Sequence, residues 1–210
     1  MKSEEICIPA GSVKLDGILV LPDKAKSLVL FAHGAGSSRL SPRNKFVAGV
    51  LQKAGIATLL FDLLTEQEDM IYENRFNINL ITKRLIAATN YICKHPKCKN
   101  LKIGYFGAST GAAAAINAAA QLKFIRAVVS RGGRPDLAAA ANLDELKAPI
   151  LLMIGGNDDV VIELNKQAFA KISCEKKLEI VSGATHLFDE SGTLEEVAGL
   201  ASDWFVKHLV

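Results

Sequence analysis

Gly104-Tyr105-Phe106-Gly107-Ala108-Ser109-Thr110-Gly111 is the stretch whose reading decides the fold. The segment Leu101 to Phe106 is mostly apolar and of strand length. Gly111 to Leu122 is rich in alanine, with no proline to break a helix. Between them stands Gly107-Ala-Ser-Thr-Gly111, a G-x-S-x-G pattern. Such a pattern suits a sharp strand-to-helix turn in which the serine takes a strained backbone conformation. The glycines are needed where a Cβ would collide with the neighbouring strand or helix. The turn lifts Ser109 Oγ clear of the sheet edge and sets it at a helix N-terminus, where free amides favour developing negative charge. The same residues also suit an ordinary βα turn with Ser109 as N-cap.

Outward from that turn the chain alternates. Upstream, Glu4–Ile8 and Val13–Leu21 read as a hairpin around Pro9-Ala-Gly11-Ser12, followed by a dense apolar strand at Ser27–Ala32. A glycine-rich loop, His33-Gly-Ala-Gly-Ser-Ser38, leads to a helix over Pro42–Lys53 with Ser41 as N-cap. Its apolar stripe is Phe46, Val47, Val50 and Leu51. Ile56–Asp62 is the next strand. Leu63 to Phe76 is a polar, acidic connection, longer than most. Ile78–Cys93 reads as a helix carrying Leu80, Ile81, Leu85 and Ala88 on one side, ended by His95-Pro96.

Downstream come a strand at Ile125–Ser130, a strand at Pro149–Gly155 and a helix at Ile162–Ile172. A last strand at Lys177–Val181 and an amphipathic helix at Leu194–His208 follow. This order predicts one α/β domain over residues 1–210: a doubly wound, mostly parallel sheet with an N-terminal antiparallel hairpin. Active residues of such sheets lie on loops at the carboxyl ends of strands.

Composition fits. Half of the 210 residues are hydrophobic, as a sheet buried on both faces requires, and a net charge of +3 is too small to argue for nucleic acid or a membrane surface. No signal peptide or bilayer-spanning run is visible. The four cysteines lack a disulfide spacing and read as free thiols of a reducing, cytoplasmic compartment; together with Trp204 they read as packing residues. Cys93-Lys-His95-Pro-Lys-Cys98 offers three ligands on a helix end with no second pair elsewhere, so no metal is expected. The HGAGSS loop matches neither nucleotide-binding glycine pattern.

Serine becomes a nucleophile only beside a base, and the base must itself be oriented. Two later strand ends supply partners: Gly156-Asn-Asp158-Asp159 after Pro149–Gly155, and Ser182-Gly-Ala-Thr-His186 after Lys177–Val181. The order Ser109, Asp, His186 is that of α/β-hydrolases rather than of the two protease orders. His95, His208 and His33 are worse placed than His186 to be the base. Asp158 is the preferred acid, with adjacent Asp159 as the solvent-facing or helix-capping alternative. An acyl-transfer site also needs oxyanion donors; the amides of Thr110 and of Ala35 are the candidates.

These motifs (HGAG, GASTG, GGNDDVV and GATHLF) resemble the α/β-hydrolase superfamily over nearly the whole chain, and its dienelactone hydrolase-like branch in size, with no room for a large lid between Ser130 and Pro149. The resemblance implies hydrolysis of a carboxylic ester, lactone, thioester or amide without a cofactor. Dienelactone hydrolases proper carry a cysteine nucleophile where this chain has Ser109, which shifts the expectation toward an esterase acting on a small ester-type substrate through an acyl-enzyme. Acyl transfer on the same residues, or a non-catalytic binding protein, are the rivals. His33, Gly34 and Arg131 are candidate substrate-binding residues. Arg131 can instead pair with Glu66 or Glu68, which is the slightly favoured reading.

Overall fold

The computed structural model describes residues 2–210. The apolar runs become strands β1 (Lys2–Ala10), β2 (Val13–Leu21), β3 (Ser27–Ala32), β4 (Ala57–Phe61), β5 (Lys102–Ala108), β6 (Ala127–Arg131), β7 (Ile150–Gly155) and β8 (Lys176–Val181). Strands β3, β4, β6 and β7 are buried at every position, as expected of strands covered on both faces. They form one sheet in the order β1-β2-β4-β3-β5-β6-β7-β8. Pairing is antiparallel for β1–β2 and β2–β4 and parallel from there on. The hairpin is longer than its sequence suggested. Lys2 pairs with Leu21 and Ala10 with Val13, and Pro9 is tolerated because β1 is an edge strand.

Helices α1 (Pro42–Lys53) and α7 (Thr193–Leu209) cover one face. On the other lie α3 (Ile78–Lys94), α4 (Thr110–Gln121), α5 (Ala140–Glu145) and α6 (Asp159–Lys171). Short α2 (Glu66–Asp69) sits in the connection after β4. Ser41 caps α1 through Asn44 N–H and Asn77 caps α3 through Leu80 N–H. The buried stripe of α1 is Val47, Ala48 and Leu51 with Asn44; Phe46, expected inside, is exposed because that face has no sheet beneath it. Helix α4 is buried along almost its whole length, which explains its alanines: only small side chains let it lie close to β5 and α3.

The long acidic connection after β4 carries structure of its own, and the expectation for the cysteines changes. Thr65 and Glu68 form a capping box that starts α2, and Tyr72–Phe76 adds a 3-10 turn. Of the cysteines, Cys98 is buried, Cys93 and Cys174 are partly so, and Cys7 is exposed on β1, so it is not a packing residue. Trp204 is buried in the α7 face. The connection from β6 to β7 holds a 3-10 turn at Pro135–Leu137 and α5, and no large lid. No helix among the described residues is long and apolar enough to cross a membrane.

Candidate active site

The turn between β5 and α4 is strained as its sequence requires. Ser109 has φ 50° and ψ −121°, an unfavourable region for a residue with a Cβ. It is held there from both sides: its N–H donates to Arg131 O at 3.2 Å, and its carbonyl accepts from Ala112 and Arg134 N–H at 3.1 Å each. The flanking glycines are close-approach positions. A Cβ on Gly107 would stand 2.5 Å from Ala112 Cα, and one on Gly111 2.1 Å from Ala32 O. Ser109 occupies the N-cap position but makes no capping hydrogen bond, so the ordinary-turn reading does not hold.

Its side chain is directed elsewhere. Ser109 Oγ lies 3.3 Å from His186 Nε2, and His186 Nδ1 lies 2.7 Å from Asp158 Oδ2. A carboxylate only accepts, so Nδ1 carries the proton and Nε2 is free to accept from the serine hydroxyl. Sequence separations of 77 and 28 residues are thus closed by β5, β7 and β8 delivering their loops to one rim. Helix α6 starts three residues earlier than its pattern suggested, at Asp159. Asp159 becomes its first residue and points to solvent, whereas Asp158 turns its carboxylate to the imidazole.

The His186 loop is rigidly built. Glu190 accepts from Thr185 N–H at 3.0 Å and from Thr185 Oγ1 at 2.6 Å. Phe188, fully buried, has φ 58°. Nothing in the sequence pattern marks that strain, since the residue is not glycine.

Ala35 and Thr110 line one narrow gap, together with Gly34. Thr110 opens α4, so its N–H has no acceptor within the helix. A Cβ on Gly34 would lie 3.1 Å from Ser109 Cβ, so this position brings bare backbone up to the serine. His33 has a different part from the one expected of it. Its Nδ1–H donates to Gly34 O at 2.9 Å and its Nε2 accepts from Leu63 N–H at 3.0 Å. Both nitrogens are therefore used, and burial lowers the imidazole pKa below its ordinary value, which keeps the ring neutral. His33 fastens the glycine loop to the end of β4.

Arg131 is also relocated. Glu68 caps α2 and pairs with Arg84 at 2.5 Å, so the expected Arg131 pairing with Glu66 or Glu68 is not formed. Arg131 ends β6 buried, its guanidinium 6.0 Å from the Phe188 ring and its Nε and Nη1 without hydrogen-bond partners. Burial, aided by Arg43, pushes it down to about 10. It supports the His186 loop from beneath and is closed to a substrate carboxylate. Among the described residues no group of three or more His, Cys, Asp or Glu side chains is placed to hold a metal ion.

Comparison with known proteins agrees with this architecture. Residues 15–204 match the sequence model of the dienelactone hydrolase family. The crystal structure of a dienelactone hydrolase from Anabaena variabilis is 50% identical, covers 100% of this chain and 99% of its own, and superposes with a TM-score of 0.96. Est1E from Butyrivibrio proteoclasticus shares the fold at 18% identity, with 97% and 98% of the two chains covered and a TM-score of 0.83. Two strains of Mycobacterium tuberculosis encode proteins provisionally named phosphoribosyl transferases that are 53% identical over all 210 residues. The chain spans about half the length of these curated relatives, 47%. On the family match and the identity to the Anabaena enzyme together, the chain belongs to the dienelactone hydrolase family.

Proposed function

We propose that this protein is a serine hydrolase that cleaves a carboxylic ester, lactone or thioester of a small acyl group through an acyl-enzyme on Ser109. The observation that carries the reading is the unbroken relay of Ser109, His186 and Asp158, with contacts of 3.3 and 2.7 Å. His186 Nε2 takes the hydroxyl proton as Oγ attacks the acyl carbonyl, and Asp158 holds the tautomer and steadies the imidazolium. The Thr110 and Ala35 amides receive the oxyanion. The imidazolium returns its proton to the leaving oxygen or sulfur. Water, deprotonated by the same imidazole, then releases the acid and restores the hydroxyl.

The phosphoribosyl transferase name belongs to proteins more than twice as long as this chain, so it need not describe the half that matches here. The small-molecule ester is the only partner the proposal requires. Acyl transfer to an alcohol or thiol would use the same acyl-enzyme and differs only in the second nucleophile; product analysis with a competing alcohol separates the two.

Labelling with a fluorophosphonate probe tests the proposal. The wild type is expected to label and to hydrolyse 4-nitrophenyl acetate, and Ser109→Ala to lose both, with kcat down by about 10⁶-fold. Absence of labelling under conditions that label a known esterase would favour a non-catalytic binding protein.

A further inference from the structure

A cavity of about 470 Å³ opens at the rim between β2, the loop after β3 and the loop after β4. That is the size of a small-molecule site, and the chemistry at Ser109 makes no use of it. Its walls meet for a topological reason. Because β2 runs antiparallel to β4, the beginning of β2 lies beside the end of β4, and Asp62 N–H donates to Asp16 O at 3.0 Å. Lys14 and Asp16 are thereby brought to the same rim as Ser37, Ser38, Glu66 and Gln67.

The cavity adjoins the loop that flanks the Ser109 turn: His33, Leu64 and Asp69 line both it and the narrow gap bordered by Ala35 and Thr110.

The lining selects a chemical class. Arg39 is occupied: its guanidinium bonds Asp62 and stands 3.6 Å from Asp16, while its N–H donates to Asp62 at 2.7 Å. Asp69 is gripped by Arg75 at 2.9 and 3.1 Å. Among the described residues Lys14 and Glu66 take part in no ion pair. An incoming group therefore meets the unpaired Lys14 ammonium and Glu66 carboxylate, the Asp16 carboxylate held only at 3.6 Å by Arg39, the Gln67 amide, and the hydroxyls of Ser37, Ser38 and Thr65, the last also accepting from Glu68 N–H. Phosphate or carboxylate would face Asp16, Asp62, Glu66 and Asp69 against only Lys14 and Arg39. An alkyl group would displace water from these polar groups and return no hydrogen bond, with only Leu15, Leu40 and Leu64 to touch. A hydroxyl both donates and accepts, so it satisfies carboxylate and ammonium alike.

We infer that this cavity receives the alcohol portion of the substrate and that this portion is an uncharged polyol, so that the substrates are acylated polyols, sugars included. The inference rests on the acyl-enzyme reading of Ser109.

The test compares a monoacetylated glucose with cyclohexyl acetate, which has a ring of similar size without hydroxyls. The ratio of kcat/KM, sugar ester over cyclohexyl ester, is expected to exceed about tenfold, a free-energy preference of about 1.4 kcal/mol. Glu66→Gln with Lys14→Met is expected to cut that ratio at least fivefold. Gln67→Leu, on the exposed face of α2, is a second variant should the first fold poorly. Free glucose should inhibit 4-nitrophenyl acetate hydrolysis competitively in the wild type and less in the variants. Equal or faster turnover of cyclohexyl acetate, or a ratio unchanged by the folded variants, overturns the inference. If labelling and 4-nitrophenyl acetate hydrolysis persist, only the cavity's assignment has failed; if they too are absent, the reading of Ser109 fails and takes the inference with it.

Discussion

Between β5 and β8 the rim of the sheet is pinned by backbone: Gly107 and Gly111 admit no Cβ, Ser109 and Phe188 are held at positive φ, and Glu190 ties the His186 loop to itself. Between β2 and β4 the same rim is looser in kind. Met70, Ile71 and Tyr72 are exposed there, and side-chain pairs such as Arg75–Asp69 and Arg84–Glu68 do the fastening. The contrast separates two demands. On the function proposed above, the reacting atoms, which tolerate little displacement, sit on the half whose backbone leaves no alternative. On the same reading, ligand choice, which needs variable chemistry, sits on the half where side chains can change without moving the serine.

Gly111→Ala is the most direct way to break this comparison. Its Cβ would need the space of Ala32 O, 2.1 Å away, and of His33 O, 2.5 Å away. We expect a loss of more than about 4 kcal/mol in urea denaturation, among the largest effects of a single substitution. A loss under about 1 kcal/mol would mean that the pinned half yields as readily as the other.

A middle-sized effect comes from His33, which joins the two halves. Burial lowers its folded pKa, so the unfolded chain takes up a proton first as pH falls. Its contribution to stability is full above the unfolded value of about 6.5 and is lost as pH drops toward the folded one. Between pH 7.5 and 5, wild-type stability is expected to decline by up to about 1.4 kcal/mol per pH unit more steeply than that of His33→Asn. Parallel slopes would remove His33 from this role.

The smallest effect is expected on the looser side. Ile71 is 54% exposed in the connection after β4, and Ile71→Ser should alter stability by no more than about 0.5 kcal/mol. A larger loss would show that this connection is packed as firmly as the nucleophile turn.

Much of this was legible in the chain. The apolar runs and glycines located every strand to within a few residues; for β3, β4, β6 and β7 this is because a parallel strand covered on both faces has no polar alternation to confuse it. The meeting of Ser109 with His186 followed from the rule that loops at carboxyl ends converge. The choice between Asp158 and Asp159 rests on where α6 begins, and a one-residue boundary is beyond periodicity. Arg131 was misjudged because charge alone suggested an acidic partner, whereas Glu68 is used by Thr65 and Arg84. The role of His33 depends on Leu63 N–H, a backbone group that no residue pattern displays.

The direction of β2 has a practical corollary. Laid head-to-tail against its neighbour, it raises the β1–β2 bend at Gly11 above the working edge, where Arg84 on α3 reaches Ala10. Residues inserted at that bend would lengthen one bank of the groove without passing near the nucleophile. On the polyol reading, the length of that bend sets how deep the alcohol site is, independently of the serine turn.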